Sequence, residues 1–443
     1  MAYAWRRNKD VLGLPFIACG MWLYLYGSMA YGCAVNLADL LPTWTLEFGQ
    51  LVALLSLMGL LIGWHCASRS HRKSQSFTIP PAKYALIWRI GIVLLFIALV
   101  GQYTFMRQEV IDYQNTSNYW YLMFYIGYPA TALCLFVLIK DKSGPMSLRA
   151  VFLGVLILAL MWQPIVTARR GPLMPMVIVI LYIPYLVRKR RPNRLVVGSG
   201  LAIGSLAMLT FLYMRPYSYA PDGVSDWTMS DRLDGWQKGL RDLSWEAVFS
   251  EKQKTQSDNE YLYHCGMVAT IWEFSDYQYG TGYLTLLVNW VPRQLWKSKP
   301  ALGQGLLPSQ WQDQLPGVVG WSMSTGAAGG GAAEVFGQFG IVSPLFWAIV
   351  GALASKLYRR SAHTGDELAT AQYVGFLCTL HWLVAQGFAA MFIPACYFIL
   401  IPTVVISRYR TRANSTSIRR GSTHPMSKES VEDAAAGLGL AAL

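Results

Sequence analysis

The chain has 443 residues, 54% of them hydrophobic and only 14% charged, with a formal net charge of +13. Soluble globular chains carry about a quarter charged residues, so the composition argues against a soluble enzyme and against a disordered chain. The basic residues fall in short clusters between apolar runs, such as Arg188, Lys189, Arg190 and Arg191. That is the loop charge of a polytopic membrane protein and not the one-sided basic face of a nucleic-acid reader, so no nucleic-acid partner is expected.

A helix crosses a bilayer with about 20 apolar residues. Ten runs reach or approach that length: Val11–Tyr31, Leu46–Ala67, Tyr84–Phe105, Tyr119–Ile139, Ala150–Thr167, Pro172–Val187, Leu195–Met214, Ala333–Leu357, Leu368–Gly387 and Met391–Ser407. The first follows MAYAWRRNKD with no small-residue cleavage signal after it, and reads as an uncleaved helix. The loops at 68–83, 140–149, 188–194 and 358–367 are basic, as are both termini, whereas 32–45 and 106–118 hold one basic residue or none. An even number of spans then puts both termini in the cytoplasm.

The expected plan is an all-α polytopic membrane protein with spans one to seven in 1–214 and spans eight to ten in 333–407. A long outer-face loop fills 215–332, and a disordered cytoplasmic tail follows at 408–443. The loop is a distinct kind of segment, with nine basic and twelve acidic residues against 28 and 12 in the remainder. Within it, Leu233, Trp236, Leu240 and Leu243 recur at helical spacing and predict an amphipathic helix lying on the membrane surface. Leu262–Phe274 and Tyr283–Trp296 are apolar but too short to span, and read as re-entrant or interfacial. The glycines of TGAAGGGAA (325–333) permit bends and close backbone approach, and no GK[ST] follows to make a phosphate loop.

The seven cysteines show no metal-binding spacing, so neither a metal nor another cofactor is expected; a Cys33–Cys265 disulfide stays open. Candidate chemistry rests on ionisable residues at membrane height, which are costly and usually have a reason to be there. Arg169 and Arg170 sit in the turn TARRGP, and Arg215 follows the seventh run. Each suits either a lipid headgroup or a phosphate held by a guanidinium fork. Arg293, Lys297 and Lys299 lie between and beyond Trp290 and Trp296 in NWVPRQLWKSKP, where aromatic faces for sugar rings adjoin cations for a linked phosphate. Glu334, at the start of the eighth run, is either a helix-terminal carboxylate or a base. His264 and His381 are candidate bases, each set against a hydrogen-bonded structural role.

The run YGTGYLTLLVNWVPRQLWKSKPALGQG (279–305) resembles the PR-x-L-W-x-x-KP element of bacterial oligosaccharide repeat-unit polymerases, the Wzy-type O-antigen polymerases. AAEVFGQFGIVSPLFWAIVGAL (332–353) is similar to the GE-x-x-x-x-FG element of the same family, with Ala333 in place of its usual glycine, and TARRGP matches its S/G-x-RG turn through Arg170. The resemblance covers about a quarter of the chain. It implies a GT-C-type membrane glycosyltransferase in the bacterial cytoplasmic membrane. Such an enzyme transfers a growing glycan from undecaprenyl pyrophosphate to an incoming lipid-linked repeat unit, sometimes with a chain-length regulator as partner. On that reading Arg169, Arg170, Arg215, Lys299, Trp290 and Trp296 bind pyrophosphate and glycan, and Arg293, Glu334 and His264 are catalytic. An O-antigen ligase acting on a lipid A core, and a polysaccharide transporter or flippase, are the alternatives.

Overall fold

A computed structural model describes residues 13–28, 30–31, 41–69, 77–106, 123–142, 144, 146–166, 170–188, 199, 206, 210, 213–214, 217, 229–244, 251–274, 277–288, 315–318, 320 and 329–412. Helix α1 (Leu14–Trp22) continues as a π-helical stretch, Leu23–Ser28. Next come α2 (Thr43–Arg69), the short strand β1 (Phe77–Thr78), α3 (Tyr84–Met106), α4 (Gly127–Lys140), α5 (Leu148–Val166) and α6 (Arg170–Arg188). Then follow α7 (Met229–Arg241), α8 (Glu251–Phe274) and α9 (Thr281–Val288). The last group is α10 (Gly330–Phe339), α11 (Ser343–Arg359), α12 (Glu367–Ala385), α13 (Phe388–Ala395) and α14 (Ile401–Tyr409), ending in β2 (Thr411–Arg412), which pairs antiparallel with β1.

Among the described residues, six stretches are long and apolar enough to cross a membrane: Thr43–Ser68, Pro81–Thr104, Met123–Lys140, Leu148–Val166, Gly330–Ala362 and Glu367–Ala385. They coincide with the second to fifth, eighth and ninth expected runs. The first, sixth and tenth form shorter apolar helices, Leu14–Gly27, Leu173–Arg188 and Cys396–Tyr409. Most of the seventh, 195–214, lies outside the described residues, as does the tail beyond Arg412. The long helices expose apolar side chains at helical spacing. Leu51, Leu54, Leu55, Met58 and Ile62 line one face of α2, and Val151, Val155, Leu158 and Trp162 one face of α5. In water such stripes would be turned inward; facing outward they fit a hydrocarbon solvent, where helices satisfy their own backbone. The chain is an all-α, membrane-embedded protein.

Between helices in lipid, close packing replaces the hydrophobic drive, and small residues make it possible. The sequence GLLIG (59–63) does this in α2. A β-carbon on Gly59 would overlap the Pro344 carbonyl, and one on Gly63 the Ala348 carbonyl, both at α11. Gly351 of α11 answers against the Leu60 carbonyl. This was not read from the sequence.

One end of the bundle is basic and pinned by polar contacts. Arg359 donates to the Ala67 and Ser68 carbonyls at the end of α2 (3.2 and 2.7 Å). Asp366 caps α12 through the Leu368 and Ala369 amides and pairs with Arg360. Buried Glu367 pairs with Lys140 at 2.5 Å and accepts the Ile79 amide beside β1.

Several expectations need correction. Leu262–Phe274 is not a separate short run but the second half of the 24-residue α8; Tyr261–Ile271 is buried and packs against α2 and α10. Tyr283 belongs to the short α9, and the run it opened lies outside the described residues beyond Val288. The amphipathic helix is present as α7, but Leu243 falls past its end and Trp236 turns inward to donate to the Val166 carbonyl (2.6 Å). Pro172 does not open α6, which starts at Arg170. Cys265 is buried against Gly49, and its candidate disulfide partner Cys33 lies outside the described residues.

Candidate functional site

The first turns of α10 gather polar groups at the end of the bundle away from the basic one. Three consecutive glycines make this approach possible. Gly330 has φ +77°, a region that favours glycine, and a β-carbon there would stand 2.8 Å from the Tyr26 hydroxyl. A β-carbon on Gly331 would overlap the Leu383 carbonyl at the end of α12. Tyr26 donates to the neighbouring Val384 carbonyl at 3.0 Å.

His264 of α8 is buried beside these glycines. Its Nδ1 lies 3.2 Å from the Gly329 carbonyl and its Nε2 3.0 Å from the Gly49 carbonyl of α2, with the Tyr26 ring edge-on at 4.9 Å. Burial lowers its pKa below the ordinary imidazole value, and the two carbonyls oppose that shift. A neutral imidazole has a single N–H, so it donates to one carbonyl at a time. The histidine therefore joins α2, α8 and the start of α10.

One turn further along, Glu334 is 4% exposed. It is the fifth residue of α10, so it does not cap its own helix as its place in the sequence implied. Its Oε1 accepts the Phe388 amide at the start of α13 (2.9 Å), and its Oε2 lies against Gly387, whose φ is +105°. Tyr283 of α9 stands beside it. Burial, and then the Glu334 charge, hold that phenol well above its ordinary pKa. Its ring packs against Phe388 (4.9 Å) and Phe339 (5.9 Å). A turn further on, Gln338 donates to Gln278 (2.6 Å), and the amides of Gln278 and Gly280 take the Gly337 and Gln338 carbonyls that α10 leaves open at its end.

Of the expected site residues, His264 and Glu334 thus border one helix. Arg170 is the first residue of α6, with its side chain outside the described residues. Arg169, Arg215, Trp290, Arg293, Trp296, Lys297 and Lys299 also lie outside them. His381 sits in α12, its Nδ1 on the Cys378 carbonyl (3.0 Å) of its own helix. Tyr26, Tyr283, Gln278, Gln338 and Gly387 were not anticipated. The glycine run was the one available signal, because it marks where α10 needs close neighbours. Among the described residues no group of three His, Cys, Asp or Glu side chains could hold a metal ion. Set against known protein families, curated proteins and solved structures, the chain has no match.

Proposed function

We propose that this protein is a GT-C-type glycosyltransferase of the bacterial cytoplasmic membrane that polymerises lipid-linked oligosaccharide repeat units. The growing glycan leaves undecaprenyl pyrophosphate and joins the incoming unit on the outer face. The observation that carries the reading is the basic-aromatic run at 279–305, followed at 332–353 by the Glu-containing element. Arg293, Lys299, Arg215 and the Arg169–Arg170 pair supply cations for the charge that grows on the departing pyrophosphate. Trp290 and Trp296 supply sugar-stacking faces. The basic end knotted by Arg359, Arg360 and Lys140 is the cytoplasmic end, which leaves the His264–Glu334 end outward. The acceptor hydroxyl loses its proton to a base, for which His264 and Glu334 are candidates in the sequence.

The test is deletion of the gene, followed by mass spectrometry of extracted lipid-linked glycans. Single repeat units accumulate if the protein polymerises. Long chains stranded on undecaprenyl would point to a ligase, and an unchanged profile would remove the reading. Restoring the gene with Arg293→Ala should leave single units in place although the protein is inserted and folded.

A further inference from the structure

We infer that Glu334 is a positioning residue that ties α9, α10 and α13 together, and is not the group that accepts the proton. The inference rests on the polymerase reading for its activity arm, but on geometry for its substance.

Both carboxylate oxygens are turned inward. Oε1 holds the Phe388 amide, one of the first amides of α13, which have no acceptor within their own helix. A charged acceptor at a helix N-terminus is stabilised both by the hydrogen bond and by the helix dipole. Oε2 occupies the space that a β-carbon at residue 387 would take. Gly387 itself is held by its amide on the Trp382 carbonyl at 2.9 Å, with φ +105°. Glycine here thus serves twice: it turns the chain from α12 into α13, and it makes room for the carboxylate. The third neighbour is Tyr283, gripped by Phe339 of α10, Phe346 of α11 and Phe388 of α13. Tyr283 lies on α9. Glu334 therefore bears on α9, beyond whose end the sequence continues into Trp290 and Arg293. A carboxylate that is 4% exposed and already committed to an amide has no free face for an acceptor sugar.

Two substitutions separate reach from charge. Glu334→Gln keeps the reach and an oxygen for the Phe388 amide while losing the charge. Glu334→Asp keeps the charge but is one methylene too short. A strut requires Gln to work better than Asp; a proton acceptor requires the reverse. We expect the Gln variant to give polymer within about threefold of wild type and a melting temperature within a few degrees of it. The Asp variant should lose about tenfold in polymer and melt lower. A Gln variant that melts like wild type but makes no polymer would overturn the inference, as would an Asp variant more active than Gln. If wild type itself fails to restore polymer in the deletion strain, the polymerase reading fails. The order of melting temperatures, Gln above Asp, still decides the strut.

Discussion

Gly63 of α2 lies directly beneath the carbonyl oxygen of Ala348 in α11, with no room for a β-carbon between them. With Gly59 and Gly351 it lets two long helices touch backbone to backbone. Adding one methyl must push the helices apart along the whole contact. Gly63→Ala should therefore cost about 1–3 kcal/mol despite alanine's better helix propensity. Gly154→Ala in α5, where a β-carbon meets nothing within 4 Å, should be neutral or stabilising. Thermal unfolding of the two variants in detergent checks this; equal melting temperatures would sink the packing argument.

His264 links stability to pH. Its folded pKa is lowered, so the native state prefers the neutral ring. The unfolded chain takes up the proton near pH 6.5 and the folded chain does so only lower. Its contribution is therefore intact above about pH 6.5 and is lost as the pH falls below that value. Melting curves at about pH 7.5 and about pH 5.5 should show a larger loss for wild type than for His264→Gln. Parallel losses in the two proteins would exclude His264 as the source.

At the basic end, two acidic groups should differ in weight. Asp366 is fully buried, caps two amides of α12 and pairs with Arg360, so Asp366→Ala should cost about 2–3 kcal/mol. Asp141 pairs with Arg149 in solvent, and Asp141→Ala should change little. Denaturant or thermal unfolding of the pair gives the ranking, and a reversed order would contradict the role assigned to the cap.

Helix α7 offers Leu233 and Leu240 outward while Trp236 anchors it to the end of α5. A fluorophore on Leu240→Cys should be quenched by nitroxide lipids more strongly than one on Lys238→Cys. In a cysteine-free background reconstituted into vesicles, stronger quenching at 238 would mean that the helix does not lie on the bilayer.

Most of the spanning helices were legible because a bilayer demands a run of apolar residues about 20 long, and that demand is local. Thr43–Arg69, Tyr84–Met106 and Glu367–Ala385 stand within three residues of where composition placed them. Leu262–Phe274 reads as a separate short run for the same reason, whereas it continues the helix from Glu251. Hydropathy sees how apolar a segment is, but not whether lipid or two other helices cover it. Glu334 was legible as an ionisable group near a helix start, but which helix end it serves was not.

By itself, then, the order of residues determined the membrane class, the basic clusters and most of the spans, because each is a property of a short window. Tertiary structure alone decided that His264 reaches residue 49, that Glu334 reaches residue 388, and that GLLIG faces Ala348. Those pairings depend on which helix faces fit together closely. In a bilayer, shape and hydrogen bonding choose them, not the apolar content that every span shares.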